Sequence, residues 1–409
     1  MKKIITIYTR TEWLIILVVA LGYFVDAYDL LVFSAVRKPS LLALGVPETR
    51  IMDVGLNLLN WQLVGLVFGG IFWGMLADKF GRRTILFFSI ITYSVVNLLN
   101  ATINSVDQYI LLRFIGGIGL AGELGVGISL ITENIPANKR TIATTIISVF
   151  GMLGAGFGGV ASLFLSWKMC YVVGGLAGIG LLLLRLSVKE SAMFKKIKEQ
   201  NLKRGNLLLI LFNPRLLMTY LFCTMAGSIT FVTIGLFIQN TPEFGKLFNV
   251  NPIPKGSWAI IFFYLGAAPS EILAGIISRK LKSRKIPMYI FLSITMISIL
   301  IFCIWQPHTI SGFYFTCFLL GLGLGYWTIL ISTSAEQFGV NIRATAATSI
   351  PNVARAWSIP FVLLFTNVLK PNFGLIDAAL LTAVFAIILS IISVKMLKET
   401  FENNAEFID

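Results

Sequence analysis

Apolar runs of roughly twenty residues, separated by short polar segments, recur along most of the chain. A helix of ~20 apolar residues crosses the ~30 Å hydrocarbon core of a bilayer. Because 56% of the 409 residues are hydrophobic and only 13% are charged, the chain has more apolar side chains than a water-soluble fold can bury. We therefore predict an all-α, multi-pass membrane protein with twelve spanning helices. The predicted spans cover residues 12–36, 57–77, 84–104, 108–132, 141–165, 168–187, 215–239, 257–278, 286–305, 310–332, 345–368 and 374–395.

Lysine and arginine are distributed unevenly between the two sets of connecting segments. If the N-terminus is cytoplasmic, 24 of the 33 cationic residues fall on the cytoplasmic side and seven in the outer loops. Cytoplasmic loops are the ones that carry an excess of Lys and Arg. We therefore predict a cell-membrane protein with both termini in the cytoplasm, and the net charge of +14 does not indicate nucleic-acid binding. This topology places Arg37 in an outer loop and Arg185 in a cytoplasmic loop, which leaves Arg113 and Arg355 as the cations within spans.

The chain divides into two halves of six spans each. Residues 189–214 form the longest polar interval, rich in lysine, and predict a cytoplasmic linker between domains at 1–188 and 215–409. Residues 122–140 realign with residues 325–343 at a constant offset of 203, with glutamate, asparagine and arginine at matching positions. Two six-helix halves with parallel similarity are typical of transporters that work by alternating access.

Nothing in the sequence indicates catalysis or a resident cofactor. No nucleophile, nucleotide-binding loop or metal-ligand cluster of the usual spacing is present. The four cysteines lie in or at the ends of apolar spans, where they fit as small core residues. We therefore expect a protein that is not an enzyme and that holds neither cofactor nor metal. The first span exceeds the apolar core of a signal peptide and carries two aspartates, so we expect it to be retained.

Two motifs resemble those of the major facilitator superfamily. One is Gly-Met-Leu-Ala-Asp-Lys-Phe-Gly-Arg-Arg at residues 74–83, between the second and third spans. The other is Arg113-x2-Gly-Gly-x-Gly in the fourth span. The resemblance covers essentially the whole chain. It implies two six-helix bundles that move against each other, a small-molecule substrate and a functional monomer in the bilayer.

The first span contains two carboxylates, Asp26 and Asp29, three residues apart and hence on one face of a helix. Two like charges in a low-dielectric site do not both ionise easily, so this pair is suited to carry protons. The Asp-x-Tyr-Asp pattern resembles the first helix of phosphate and aromatic-acid proton symporters, which implies proton coupling or substrate binding. Hydrogen bonding across helices without titration is the alternative.

The fourth span adds Arg113, Glu123 and Glu133 at intervals of ten residues. The midplane depth of Glu123 indicates a second proton site, and a salt bridge is its alternative. Arg113 matches an arginine that the superfamily resemblance links to proton transfer, and a structural role is its alternative.

Arg355 in the eleventh span is the candidate for substrate recognition, because a guanidinium stays charged and binds a carboxylate or phosphate with two parallel hydrogen bonds. Aromatic-acid symporters resemble this chain in having arginines at the positions of Arg343 and Arg355. The alternative is that Arg355 neutralises a buried carboxylate. Other candidate substrate contacts have polar tips that need partners in lipid. They are Tyr28, Gln62, Trp327, Asn352 and Trp357, and Tyr23 and Tyr264 are further cavity-lining candidates.

Charged residues at the cytoplasmic ends of the spans are predicted to form a gate, since separation of such contacts accompanies rigid-body switching. These residues are Asp78, Arg82, Arg83, Glu133, Arg140, Glu336 and Arg343. Glu271 in the eighth span fits either a gate residue or a packed, protonated acid.

The sequence favours a proton-coupled symporter of a small organic anion, most simply a carboxylate. The phosphate symporters that share the first-span pattern add an acid in the seventh span, where this chain has none, so inorganic phosphate is less favoured. The alternatives are a sugar or polyol symporter, a phosphate symporter, a drug or metabolite exporter, or a membrane sensor built on a transporter scaffold.

Overall fold

The computed structural model describes residues 8–135, 137–185, 207–338 and 340–401, which form helices and turns and no β-strand. Six long helices make the first bundle: α1 (Arg10–Ala43), α2 (Ile51–Phe80), α3 (Arg82–Asn100), α4 (Val106–Asn134), α5 (Ala137–Phe164) and α6 (Trp167–Arg185). A short 3-10 helix (Glu48–Arg50) lies between α1 and α2.

Six further helices make the second bundle, and several of them change pitch along their length. They are α7 (Pro214–Ala226, Ser228–Thr233 and the π-helical Ile234–Ile238), α8 (Gly256–Leu281), α9 (Lys285–Trp305), α10 (Ile310–Leu322, the 3-10 segment Gly323–Tyr326 and Trp327–Glu336), α11 (Val340–Ala356, Ser358–Leu364 and the π-helical Phe365–Leu369) and α12 (Lys370–Met396). Two short helices, Leu207–Phe212 and Thr241–Leu247, flank α7.

Ten stretches of the described chain are long and apolar enough to cross a membrane. One of them, Thr345–Met396, contains two helices, because α12 turns at Gly374 with a φ of +77°. The shorter apolar helix Thr84–Asn100 completes the set of twelve, as the sequence predicted. An even number of antiparallel passes puts Arg10 and Met396 on one side, which we call the terminal face, and the end of α1 on the opposite face.

Local signals in the sequence explain where the helices begin and turn. Thr9 and Glu12 form a reciprocal capping box that starts α1. Asn213 caps the first turn of α7 ahead of Pro214. The turn between α2 and α3 is a single residue, Gly81, with φ +100° and ψ 154°. That backbone conformation is open essentially to glycine alone, which explains the glycine inside the charged turn.

The structure corrects the placement of two arginines, Arg37 and Arg185. α1 continues to Ala43, so that Arg37 lies inside the helix and is buried rather than in an outer loop. Arg185 is the last residue of α6 and is also buried, so its assignment to the cytoplasmic loop was wrong. Both corrections have one cause: each arginine has a carboxylate partner on a distant helix.

The repeat predicted from the sequence extends through the helices, since those of the second bundle follow those of the first at offsets close to 203 residues. α5 begins at Ala137 and α11 at Val340, and α6 begins at Trp167 and α12 at Lys370. Arg37 and Asn240 stand 203 residues apart and are hydrogen-bonded to each other. Equivalent ends of α1 and α7 therefore meet across the pseudo-twofold axis. The domain limits at 189–214 stay a prediction, because residues 186–206 lie outside the described part.

Close helix packing depends on glycines at a few contacts, and Gly154 offers a test. A Cβ built on Gly154 of α5 would lie 2.0 Å from the backbone oxygen of Phe24 in α1, whereas one built on Gly180 of α6 meets nothing within 4 Å. We expect Gly154→Ala to lower the free energy of unfolding by about 1–3 kcal/mol through overpacking. Gly180→Ala is the matched control and should be neutral or stabilising by up to about 1 kcal/mol, because alanine favours helices.

Thermal unfolding of the purified variants in detergent measures the difference. Equal melting temperatures for Gly154→Ala and Gly180→Ala would contradict the α1–α5 contact.

Candidate functional site

A small cavity lies between the two bundles, lined by α1 and α5 on one side and by α7, α8, α10 and α11 on the other. Its polar and aromatic wall consists of Tyr23, Thr230, Phe231, Tyr264, Trp327 and Arg355. The remaining lining residues are apolar or glycine. A concave, largely apolar site with a few convergent polar groups between two bundles is the usual form of a small-molecule site.

Arg355 is the cation of this cavity and is only 2% exposed. Its Nη1 donates to Oδ1 of Asn352 at 3.1 Å, and its guanidinium carbon lies 5.7 Å from the ring centre of Phe231. Among the described residues no carboxylate lies within ion-pair distance, and Nε has no acceptor. The guanidinium is therefore held in position by its neighbours while its charge lacks a direct anionic partner.

Aromatic rings surround the guanidinium. Phe231 and Trp327 pack edge to face with ring centres 5.2 Å apart, and Tyr23 and Tyr264 line the cavity from α1 and α8. Rings of this kind offer a flat, apolar surface with polar tips. The cavity can thus bind a planar anion, with the charge at Arg355 and the ring among the aromatic side chains.

The two aspartates of α1 are buried, and neither oxygen of either carboxylate accepts a hydrogen bond from the described residues. Asp26 lies between the cavity residues Tyr23 and Ala27 in sequence, and within electrostatic reach of Arg355. Asp29 points further into the first bundle, because a Cβ built on Gly174 of α6 would lie 2.4 Å from its Oδ1. Asp26 therefore adjoins the cavity and Asp29 stands behind it.

Glu123 is joined to Arg185 by two parallel hydrogen bonds of 2.6 and 3.1 Å, and Ser89 donates to it at 3.2 Å. Arg185 also donates to the carbonyl of Leu86 at 3.2 Å. Both side chains are almost fully buried. Arg185 gives Glu123 a full countercharge, which favours the salt-bridge alternative for Glu123. A proton-binding role for Glu123 stays a prediction.

Three predicted site residues are engaged inside the first bundle rather than at the cavity. Arg113 donates to Gln62 at 2.6 Å and lies over the ring of Phe33 at 4.7 Å. The hydroxyl of Tyr28 donates to the carbonyl of Cys170 at 2.7 Å. Arg113 is also within electrostatic reach of Asp29. These contacts connect α1 to α6 through Tyr28, and Asp29 to α4 and α2 through Arg113 and Gln62.

Two predicted residues of α11 have different partners. Asn352 accepts from Arg355 and donates to the carbonyl of Ala121 in α4 at 3.1 Å, so it links the two bundles. Trp357 donates to the hydroxyl of Thr224 in α7 at 3.0 Å and stays within the second bundle. Asn352 thus fixes Arg355 against the first bundle, whereas Trp357 stabilises the helix that carries it.

Contacts at the opposite face hold the two bundles together. Arg37 of α1 donates to Asn240 at 2.7 Å and to both oxygens of Glu243 at 2.8 and 3.0 Å. Glu48 accepts from Lys38 at 2.7 Å and from Lys246, which follows α7 in the chain, at 3.0 Å. In this structure the opposite face is therefore closed by charged contacts.

Six of the seven predicted gate residues have side chains outside the described part of the structure. They are Asp78, Arg82, Arg83, Glu133, Arg140 and Arg343. Glu336 accepts from Arg284 at 3.2 Å and from the hydroxyl of Thr400 at 2.5 Å. Its described contacts are within the second bundle.

Three residues that contact the cavity or the buried ion pairs were not among the site residues predicted from the sequence. They are Phe231, Arg185 and Arg37. Arg185 carried a usable signal, because leucines stand on both sides of it at the end of an apolar run. Phe231 and Arg37 carried none, since each acquires its contacts only when α7 lies beside α1, α10 and α11.

A family model of the Major Facilitator Superfamily matches residues 19–362 of this chain. A putative metabolite transport protein of Haemophilus influenzae is 26% identical over 84% of this chain and 86% of that protein. The niacin transporter NiaP of Acinetobacter baylyi is 25% identical and covers 89% of both chains. A 4-hydroxybenzoate transporter, PcaK, of the same species is 28% identical over 51% of this chain and 46% of that protein.

The fold is similar to that of the crystal structure of a D-xylose-proton symporter. The TM-score is 0.72, with 97% of this chain and 100% of that chain covered at 16% identity. At this level of identity the likeness concerns the fold alone. It confirms the predicted twelve-helix fold.

The Glu123–Arg185 pair generates a stability prediction. Removal of one partner leaves an uncompensated buried charge, so Glu123→Gln and Arg185→Gln should each cost about 3–5 kcal/mol. The double variant should cost much less than the sum, because it leaves neither charge. Ser89→Ala, which removes one hydrogen-bonding hydroxyl beside the pair, should cost about 1 kcal/mol. Additive losses in thermal unfolding of the single and double variants would show that the two residues do not interact.

Arg37 generates a conformational prediction. Loss of its buried contacts to Glu243 should cost about 2 kcal/mol, which raises the population separated at the opposite face by about thirty-fold. Spin labels at the exposed positions Leu42 and Leu247, in a background without native cysteines, report the distance between the bundles. We expect Arg37→Gln to add a longer distance.

The matched control for that experiment is Lys38→Gln, which removes an exposed ion pair beside Arg37. Such pairs contribute ~0–1 kcal/mol, so the distance distribution should stay close to that of the wild type. Identical distributions for Arg37→Gln and the wild type would show that Arg37 does not hold this face closed.

Proposed function

This chain belongs to the Major Facilitator Superfamily, and we propose from this that it is a proton-coupled symporter of small organic anions, with aromatic carboxylates as its preferred substrates. It lies in the plasma membrane with its terminal face in the cytoplasm, and it works as a monomer by alternating access.

The observation that carries this proposal is Arg355, a buried cation without a carboxylate partner among the described residues, in a cavity between the bundles. A charge in the hydrocarbon region costs about 2.5–3.5 kcal/mol on insertion scales, so it needs a functional reason. A substrate carboxylate would supply the missing countercharge through two parallel hydrogen bonds.

The aromatic wall supports a ring-bearing anion over an aliphatic one. Phe231 and Trp327 lie beside Arg355, and Tyr23 and Tyr264 complete the wall. Niacin and 4-hydroxybenzoate, which two relatives are named for, are both planar aromatic acids of this kind. A flat ring gains edge-to-face or stacking contacts here that an alkyl chain does not.

Asp26 provides the means of coupling to protons. Asp26 lies within electrostatic reach of Arg355, so that in the empty transporter an ionised Asp26 would partly balance the guanidinium charge. A bound carboxylate takes over that role, which removes the reason for Asp26 to stay charged in a low-dielectric site, so a proton binds with the anion. Asp29 and Arg113 stand behind Asp26 and relay or stabilise this charge within the first bundle.

Proteoliposome uptake tests the proposal directly. The probes are radiolabelled 4-hydroxybenzoate, nicotinate, an aliphatic dicarboxylate, phosphate and D-xylose, each with an inward proton gradient and with that gradient collapsed. We expect gradient-dependent accumulation of at least one aromatic carboxylate. Accumulation of D-xylose alone would indicate a sugar symporter. Saturable binding of a probe without any movement across the membrane would indicate a sensor.

Arg355 variants test the recognition step. Loss of a buried charged contact costs about 2–5 kcal/mol, so Arg355→Gln should weaken the apparent affinity for the carboxylate by about thirty-fold or more. Arg355→Lys keeps the charge but not the two parallel donors and should recover part of the affinity. The matched control is Arg215→Gln, at an exposed arginine, which should match the wild type. Unchanged carboxylate uptake by Arg355→Gln would exclude Arg355 from anion binding.

A further inference from the structure

Glu271 of α8 is a buried carboxylate, only 4% exposed, that the proposed mechanism does not use. Both of its oxygens accept from the backbone N–H of Thr328 in α10, at 3.3 Å each, and the Thr328 side chain is also within hydrogen-bonding reach. Among the described residues no cation lies within ion-pair distance of Glu271. Contacts with one neutral residue are a weak stabilisation for a full charge in the hydrocarbon region.

Glu271 lies immediately beyond the cavity, toward the terminal face. It follows the cavity residue Tyr264 by seven residues, which places it on the same side of α8 about 10 Å further along. Its partner Thr328 directly follows the cavity residue Trp327. α8 and α10 approach closely at this level, since a Cβ built on Gly325 would lie 2.6 Å from the backbone oxygen of Ser270.

The partner of Glu271 also connects the two bundles. The hydroxyl of Thr328 is hydrogen-bonded to the hydroxyl of Ser148 in α5 of the first bundle. Thr328 stands in the first turn of the helical segment Trp327–Glu336, which follows the 3-10 segment of α10. An ionised Glu271 therefore caps this segment, where the helix dipole favours a negative charge. A protonated Glu271 instead presents an O–H donor beside the contact between Thr328 and Ser148.

No charged residue in the described structure is paired with Glu271, so the protonation state of Glu271 can change during transport. Tyr23 of α1, at the cavity wall, is a titratable group within electrostatic reach of Glu271. Other charged or titratable groups on the helices packed against α8 make no hydrogen bond or ion pair with it in the described structure. Such groups include Asp26 and Asp29 on α1, Tyr314, Tyr326 and Glu336 on α10, and Arg284, Lys285 and Tyr289 at or near the start of α9.

We propose that Glu271 is a second proton-binding site, located in the second bundle, and that its protonation state controls the contact of Thr328 with Ser148 between the cavity and the terminal face. This inference rests on the proton-coupled transport proposed above. In this arrangement protons bind on both sides of the cavity. The protonation of Asp26 depends on the anion at Arg355. The protonation of Glu271 depends on the contact between the two bundles, which must separate on the terminal side.

A substrate-free measurement tests the proton site itself. Infrared difference spectra of the purified protein between acid and alkaline pH should contain the band of a protonated carboxyl group that is lost in Glu271→Gln. Asp107→Asn is the matched control, because Asp107 is an exposed carboxylate at the outer end of α4. Spectra of Glu271→Gln that equal those of the wild type would overturn the proposal, because Glu271 would then keep one protonation state throughout.

A transport measurement tests the coupling, with radiolabelled 4-hydroxybenzoate and nicotinate as probes. With a gradient of one pH unit, loss of one coupled proton lowers the steady-state accumulation ratio about tenfold. We expect that loss in Glu271→Gln, whereas counterflow without a gradient should stay within about twofold of the wild type. Asp107→Asn should match the wild type in both assays.

Two results would overturn the coupling role. One is full accumulation by Glu271→Gln, and the other is an equal loss of accumulation and counterflow, which a purely structural cap would produce. If Glu271→Gln does not fold, Glu271→Asp keeps a titratable group, and its carboxyl band should shift while accumulation is retained in part; an unshifted band would overturn the proposal. Absence of wild-type transport of both probes would count against the proposed function, while the infrared result would still decide the proton site.

Discussion

The cost of an isolated charge in the hydrocarbon core governs where this chain keeps its ionisable side chains. Glu123 and Arg185 meet this cost by pairing inside the first bundle, and Arg37 meets it through Glu243 across the two bundles. Asp26, Asp29, Arg355 and Glu271 have no ion-pair partner among the described residues. Asp26, Arg355 and Glu271 lie at or beside one cavity, and Asp29 stands behind it. Arg113 also lacks an ion pair among the described residues, but it is hydrogen-bonded to Gln62 inside the first bundle. Most of the unpaired charges therefore gather at the candidate site.

The two bundles share one helical framework, but they carry different side chains at equivalent positions around the cavity. Met152 and Arg355 stand 203 residues apart, on α5 and α11, and both line the cavity. One bundle thus presents an apolar side chain where the other presents a permanent cation. The aspartates have no charged counterpart at the same offset either, since Ile229 and Val232 of α7 occupy those positions. Repetition supplies a symmetric framework, and the differences between equivalent positions place Arg355 on the second bundle and the two aspartates on the first.

In the proposed mechanism, coupling between anion and proton follows from this division in simple electrostatic terms. Asp26 and Arg355 belong to different bundles and lie within reach of each other across the cavity. A rigid-body motion that separates the bundles changes their interaction, and so does a carboxylate bound to Arg355. Asn352 donates to α4 and holds Arg355, so the position of the cation also depends on how the bundles meet. Binding, protonation and closure thus act on the same few contacts.

The membrane spans, the repeat and the set of charges inside the bilayer can all be read from the amino-acid sequence. These follow from composition and spacing, because a span is a property of one continuous segment. The sequence also showed that Asp26 and Asp29 share a face. The pairing of these charges depends on how the helices pack, because Glu123 pairs with Arg185 across 62 residues of sequence and Arg37 with Glu243 across 206. Helical periodicity gives the face of each helix but not its neighbours, so the partners of Glu123 and Arg37, the aromatic wall around Arg355 and the link from Glu271 to Ser148 were decided by packing alone.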